Sequence, residues 1–265
     1  MSHTSPVNDP ALSRALAEFD QADLVIYAGP SLADSPLTAP AAHLILPPVR
    51  DGDLTALLTR TPPPTTVLMI DGYFGAGQAV SLTEIQETLG RGVRLYGCSS
   101  MGALRAVEAR PWGMIGLGVI FTDYLTGRRT ADENVALLHD DHYRSLTAPT
   151  VNVDLLCTLL AAEGVSAGHC EEFRRRAREL YFGDRSYSAL RQLARTCFAS
   201  GSSLAPGTLE LVLHRLTPPQ LAHWDAKRHD AESAIRDVVL GLAPTSAPTE
   251  LIPVPECIGA MLAEA

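Results

Sequence analysis

Lysine is almost missing from this chain of 265 residues: Lys227 is the single one, and the basic side is otherwise arginine. That scarcity excludes a phosphate-loop lysine, a Schiff-base lysine and a Ser–Lys dyad from the whole N-terminal half. Positive charge is short overall, and a net charge of −9 argues against nucleic acid as a partner, since a polyphosphate needs a cationic surface that releases its counterions. The cysteines, Cys98, Cys157, Cys170, Cys197 and Cys257, are odd in number and contain no C-x-x-C. A disulfide framework or a thiolate zinc site is therefore not expected, and a reducing cytoplasm is. No apolar run is long enough to span a bilayer. The segment 1–20, with Asp9, Glu18 and Asp20, has neither the basic start nor the apolar core of a signal peptide. These absences together predict a soluble, cytoplasmic protein with no membrane partner.

What is present is a core-forming chain of ordinary apolar content, long enough for one large domain or two small ones. After a polar tail and a short helix at 11–19, short apolar strands are predicted at 23–28, 43–46, 66–70 and 93–97. Helices are predicted between the later ones, at 52–60 and 78–90, with Pro47-Pro48 and Pro62-Pro63-Pro64 as boundaries. Strands alternating with helices imply right-handed crossovers, hence an α/β fold with an open, mostly parallel sheet and flanking helices. Beyond about Pro149 the strand signal fades, and 153–163, 169–180, 188–200, 209–215 and 220–242 read as helices. The run Glu171-Glu172 to Arg174-Arg175-Arg176 has the spacing of a solvated helix face. A proline-rich stretch from Pro244 to Pro255 reads as an extended strap. The expected organisation is a tail and short helix over 1–22, an α/β core over 23–150 and a helical region over 151–265.

In such sheets ligands bind beyond the carboxyl ends of the strands, which here are Gly29-Pro30-Ser31, Pro47-Pro48, Asp71-Gly72-Tyr73-Phe74 and Cys98-Ser99-Ser100. The last passes directly into a helix, and Cys98-Ser99-Ser100-Met101-Gly102 approximates the Gly-x-Ser-x-Gly nucleophile elbow, with Cys98 in place of the first glycine. By spacing Ser100 is the better nucleophile and Ser99 the better helix cap. Either serine also suits an anion or a carbonyl held at a helix N-terminus, with the Met101 and Gly102 N–H groups as oxyanion donors. Cys98 reads as a reactive thiolate at the helix start or as a small buried filler. Asp71, at its strand end, can orient a base, bind a ligand hydroxyl, hold a metal, or simply cap the next turn. Gly72-Tyr73-Phe74-Gly75-Ala76-Gly77 lacks the lysine of a phosphate loop, and Val80 stands where a dinucleotide site needs its third glycine. A nucleotide cofactor is disfavoured, and no cofactor is expected. Arg105 either curls back to an anionic ligand or pairs with Glu108 three residues on. His139 and His142 would share a helix face, but with no third ligand evident no metal is expected. His139 is instead the candidate base for the serine, with His43 as a competitor at the far sheet edge.

From Gly29-Pro30-Ser31-Leu32, through Leu46-Pro47-Pro48-Val49-Arg50-Asp51-Gly52-Asp53 and Ile70-Asp71-Gly72-Tyr73-Phe74, to Gly97-Cys98-Ser99-Ser100-Met101-Gly102-Ala103-Leu104-Arg105-Ala106, the chain resembles the TfuA-like family. Gly113-Met114, Gly116, Gly118, Ile120-Phe121, Asp132-Glu133-Asn134-Val135-Ala136 before His139, and Val151-Asn152 extend the resemblance. It implies a helper of a YcaO-type ATP-dependent enzyme in peptide backbone thioamidation. That helper would supply sulfide by hydrolysing a thiocarboxylated sulfur-carrier protein of the ThiS type, with the precursor peptide as a further partner. Where the family commonly reads Ala-Val-Trp-His-Lys-Glu-Ile, this chain has Ala79-Val80-Ser81-Leu82-Thr83-Glu84-Ile85, without the histidine and lysine. The competing expectation is a non-catalytic adaptor that recruits or activates the YcaO partner or docks the carrier or peptide. An ordinary serine esterase is the third.

Overall fold

Short aliphatic and β-branched runs separated by long connections satisfy their backbone groups by pairing in parallel, with the connections folded as helices against the faces. A computed structural model describes residues 10–75, 77–199 and 204–247. Residues 1–9 of the expected polar tail, the strap from 248 onward and Cys257 lie outside the described residues. Contacts divide the chain into two compact units, Met1–Asp132 with Arg228–Ala265, and Glu133–Lys227.

In the first unit, among the described residues, five strands form one sheet in the order 2-1-3-4-5: β1 (Leu24–Tyr27), β2 (Ile45–Leu46), β3 (Thr66–Met69), β4 (Arg94–Gly97) and β5 (Ile115–Gly116). Every pairing is parallel, so the fold is α/β. The helices are α1 (Pro10–Glu18), α2 (Thr38–Ala41), α3 (Asp53–Leu58), α4 (Leu82–Gly90), α5 (Met101–Ala109) and α6 (Gly118–Leu125). β5 has no signature in the sequence, because two residues are too few to show an alternation. The winding reverses between β1 and β3, where loops leaving adjacent strands diverge and open a crevice.

Register sets what that crevice holds. Tyr27 lies opposite Met69, Met69 opposite Gly97, and Gly97 opposite Gly116. The next row, Ala28, Ile70, Cys98 and Leu117, is buried in a core with Leu12 and Leu16 of α1 and Ala231 and Ile235 of α11 (Ala226–Val239). One row further stand Gly29, Asp71, Ser99 and Gly118. The filler reading of Cys98 is the one that holds: its side chain is fully buried, and burial, with the charges of Asp230 and Asp71, pushes the thiol well above its usual value. It is not an activated thiolate.

Ser81 caps α4. Its hydroxyl accepts the Glu84 N–H at 3.2 Å while Glu84 accepts the Ser81 N–H at 3.4 Å, a reciprocal capping box. Glu84 also accepts the Thr55 N–H and hydroxyl, both at 3.2 Å, joining α4 to α3.

The second unit packs α7 (Thr150–Ala162), α8 (Ala167–Glu179), α9 (Tyr187–Cys197) and α10 (Thr208–Arg215) around Leu156, Leu160, Phe173, Leu190, Phe198 and Trp224. The charge run lies on α8 as ion pairs, Glu171–Arg174, Glu172–Arg175 and Glu172–Arg176, with Arg175 about half exposed. Such pairs contribute little to stability. The helix expected over 220–242 is interrupted. A 3-10 stretch, Pro218–Trp224, precedes α11. Asn152 holds the break, donating to the Asp225 carboxylate and accepting the Lys227 N–H. The single lysine, Lys227, is buried and donates to the Val135 carbonyl at 3.0 Å.

Helix α5 lies close against the sheet because Gly102 lacks a side chain: a Cβ there would stand 1.9 Å from the Met69 carbonyl oxygen. Backbone cannot retreat from such a clash. Gly102→Ala should lower the urea midpoint with an unchanged m value, for a loss of roughly 3 kcal/mol.

Candidate functional site

Ser31 follows β1, Asp71 follows β3 and Ser99 follows β4, and all three side chains are buried. The Asp71 carboxylate accepts the Gly29 and Ser31 N–H groups on Oδ2, each at 2.9 Å, and the Ser31 hydroxyl on Oδ1 at 2.8 Å. The Ser31 and Ser99 hydroxyl oxygens are 3.0 Å apart. Either hydroxyl can donate the hydrogen bond between the serines.

Ser99 occupies the sharp point of the turn. Its φ is +63°, in the left-handed region, and the Ser100 N–H donates back to the Cys98 carbonyl at 2.7 Å across it. This is a three-residue turn of the strained kind. Ser100 holds the N-cap position of α5, where its carbonyl accepts the Ala103 and Leu104 N–H groups while its hydroxyl makes no capping hydrogen bond. The Gly102 N–H is used by the Ile70 carbonyl at 3.2 Å. Among the described residues no acceptor lies on the Met101 N–H, the first donor of α5.

Asp230 completes the site, although it lies 131 residues beyond Ser99. One carboxylate oxygen accepts the Ser99 N–H at 2.9 Å, and the other accepts the Val119 N–H at 2.6 Å at the start of α6. Gly118 makes room, since a Cβ there would meet Asp230 Oδ1 at 2.1 Å. No local motif announces this aspartate, which sits in an ordinary helical charge pattern, so sequence reasoning missed it. Ser35 and Glu232, hydrogen bonded at 2.6 Å, are a second buried link between the β1 loop and α11.

The other expected residues fall as follows. Pro30 lies between the two residues whose N–H groups meet Asp71. Gly72 sits against the Met101 side chain, and the Tyr73 ring lies under the Arg50 guanidinium, 4.6 Å from its centroid. Arg105 takes the ion-pair arrangement: its guanidinium is buried, 2.5 Å from Glu108 and 2.9 Å from the Val80 carbonyl. His139 belongs to the second unit. Its Nδ1 lies 2.8 Å from the Asp140 carbonyl oxygen, and its ring packs on Tyr143. The shared helix face expected for His139 and His142 does not form. Residues 138–145 make a turn, because the Asp140 side chain takes the His142 and Arg144 N–H groups, each at 2.9 Å. Among the described residues no group of three His, Cys, Asp or Glu side chains could hold a metal ion, and no helix is long and apolar enough to cross a membrane.

Burial raises the Asp230 carboxyl to about 6, against the hydrogen bonds from Val119, Ser99 and Ile120, which favour its charged form. The folded protein therefore holds this proton more tightly than the unfolded chain does. Its contribution to stability is present at low pH and withdrawn as pH rises from about 4 through 6, by about 3 kcal/mol. Denaturation at a series of pH values should show that slope in the wild type and its loss in Asp230→Asn.

No curated protein matches the chain. A family model described as TfuA-like protein matches residues 71–186. The matched stretch starts at the aspartate of the strand end and includes the whole elbow, while Ser31 and Asp230 lie outside it. Over residues 71–186 the chain is similar to the TfuA-like family.

Proposed function

We propose that the protein is the TfuA-like partner of a YcaO-type enzyme in peptide backbone thioamidation, and that it releases sulfide by hydrolysing the thiocarboxylated end of a ThiS-like carrier protein. The family match over the elbow supports the pathway. The observation that carries the hydrolase is the strained turn at Ser99, whose hydroxyl is hydrogen bonded to Ser31 beside the Asp71 carboxylate. A serine at such a turn is held for attack on a carbonyl carbon, and the Met101 N–H at the helix start suits the oxyanion that forms. Ser99 is accordingly the nucleophile, and Ser100 takes the N-cap position of α5. His139 has no part in the hydrogen bonds that orient Ser99.

The burial of Ser31, Asp71 and Ser99 favours a second reading, in which the same hydrogen bonds lock the sheet and the protein acts as an adaptor for the YcaO enzyme.

Purified protein mixed with thiocarboxylated carrier should liberate sulfide. Ser99→Ala should lower the rate by about 1,000-fold and Ser100→Ala by less than about tenfold. If both variants keep the wild-type rate, or if both stimulate the YcaO enzyme equally when free sulfide is supplied, the adaptor reading stands.

A further inference from the structure

A second concavity lies on the first unit, apart from the elbow. Segment 47–50 leaves β2, pairs with the end of β3 where Val49 meets Gly72, and leads into α3. Between that segment, the end of β1 and α3 is a cleft of about 370 Å³, room for roughly a dozen non-hydrogen atoms. None of Ser31, Asp71 and Ser99 lines it. Leu46, Pro47 and Leu57 give it apolar walls, and Arg50 and Arg60, both exposed, give it two guanidinium groups. Each guanidinium is held by a neutral group. That of Arg50 lies over the Tyr73 ring, and Arg60 Nη1 donates to Gln21 Oε1 at 2.8 Å. Among the described residues neither is ion paired with an acid. The acid of the lining is Asp53, whose Oδ2 accepts the Arg50 N–H at 2.9 Å. Tyr27 is buried in the wall. Burial, then the Asp53 charge, keeps its hydroxyl protonated, and it donates to the Asp53 carbonyl at a long 3.4 Å.

We propose that this cleft binds a carboxylate carried on a short apolar stem. The two guanidinium groups set against Asp53 leave one positive charge, which balances a monoanion and is exceeded by a phosphate dianion. A guanidinium plane matches the two oxygens of a carboxylate, and charge-assisted bonds of this kind are the strong ones. Because Tyr73 and Gln21 already hold the two arginines, binding costs them little freedom. The Tyr27 O–H is a third donor, free to exchange its long bond for a ligand oxygen. Leu46, Pro47 and Leu57 take the stem, whose burial adds the apolar share of the binding energy. In a chain of net charge −9, two arginines in one concavity also draw an anion to this place rather than elsewhere on the surface. The site is independent of the hydrolase reading. Two sources carry the chemistry it selects, a free acid and the C-terminal end of a peptide.

Isothermal titration of the full chain separates these sources. 3-Phenylpropionate probes the free acid, N-acetyl-glycyl-phenylalanine probes a peptide end, and 3-phenylpropanamide has the same stem without the charge. Both acids should bind saturably, and the amide about tenfold more weakly or less. Arg50→Gln and Arg60→Gln should each weaken the acids by roughly tenfold. Ala56→Trp, which fills the cleft and keeps its charges, should abolish binding, and Arg14→Gln on α1 should change nothing. All four positions are exposed, so the variants should fold, and far-UV circular dichroism checks that they do. Raising the salt from about 0.05 to 0.5 M should weaken both acids and leave the amide unchanged. Tighter binding of the peptide assigns the site to a peptide end, and tighter binding of 3-phenylpropionate assigns it to a small acid; either upholds the carboxylate site. Amide binding equal to that of the acids, or wild-type affinity in the folded Arg50→Gln, Arg60→Gln double variant, would overturn it. So would the absence of saturable binding of either acid up to about 10 mM, or inorganic phosphate binding more tightly than both.

Discussion

The Asp71 carboxylate holds the sheet's switch point together. It lies where the strand order reverses, and it takes three hydrogen bonds from the loop after the neighbouring strand. A buried carboxylate is costly unless its oxygens are satisfied, and hydrogen bonds to a charged group contribute about 1.5–3 kcal/mol each. Those bonds fix the Gly29–Ser31 loop, and the loop fixes the Ser31 hydroxyl beside Ser99. Without the acid, the β1 loop would have two backbone N–H groups to satisfy elsewhere.

The elbow depends on close approach as much as on hydrogen bonding. Helix α5 comes near enough to the sheet for Gly102 to touch the Met69 carbonyl, and the chain must turn in a single residue to get there. Ser99 takes that turn at φ +63°, which costs on the order of 1–3 kcal/mol for a residue with a side chain. Its N–H is consequently aimed away from the helix, and Asp230 receives it. The same carboxylate closes the start of α6, so α11, returning after the whole helical unit, pins the two turns at the ends of β4 and β5. Strain at one serine is sustained because its neighbours on several elements over-determine it.

The larger part of the fold was legible before any coordinates. Apolar runs bounded by proline and glycine located β1 to β4, the alternation implied a parallel sheet, and strand ends nominated Gly29, Ser31, Asp71 and Ser99 together. What failed has common physical causes. The Gly-x-Ser-x-Gly spacing put Ser100 at the turn, but the register of the strand puts Ser99 there, and a motif read from spacing carries no φ angle. The His139–His142 spacing suggested a helix, but Asp140 captured the backbone N–H groups a helix would need. Helix periodicity across 220–242 could not reveal that Asn152, distant in sequence, would hold a break at Asp225.

Local chemistry in the sequence determined the sheet's strands, the caps, the acid at a strand end and the strand-to-helix turn, because propensity and backbone satisfaction act within a few residues. Only the tertiary structure decided which serine sits at the strained point and that its hydroxyl points to Ser31. It alone brought Asp230 to the Ser99 N–H. Those outcomes depend on strand register and on contacts between residues 68 and 131 positions apart, and a linear pattern holds no information about which distant groups will share a row.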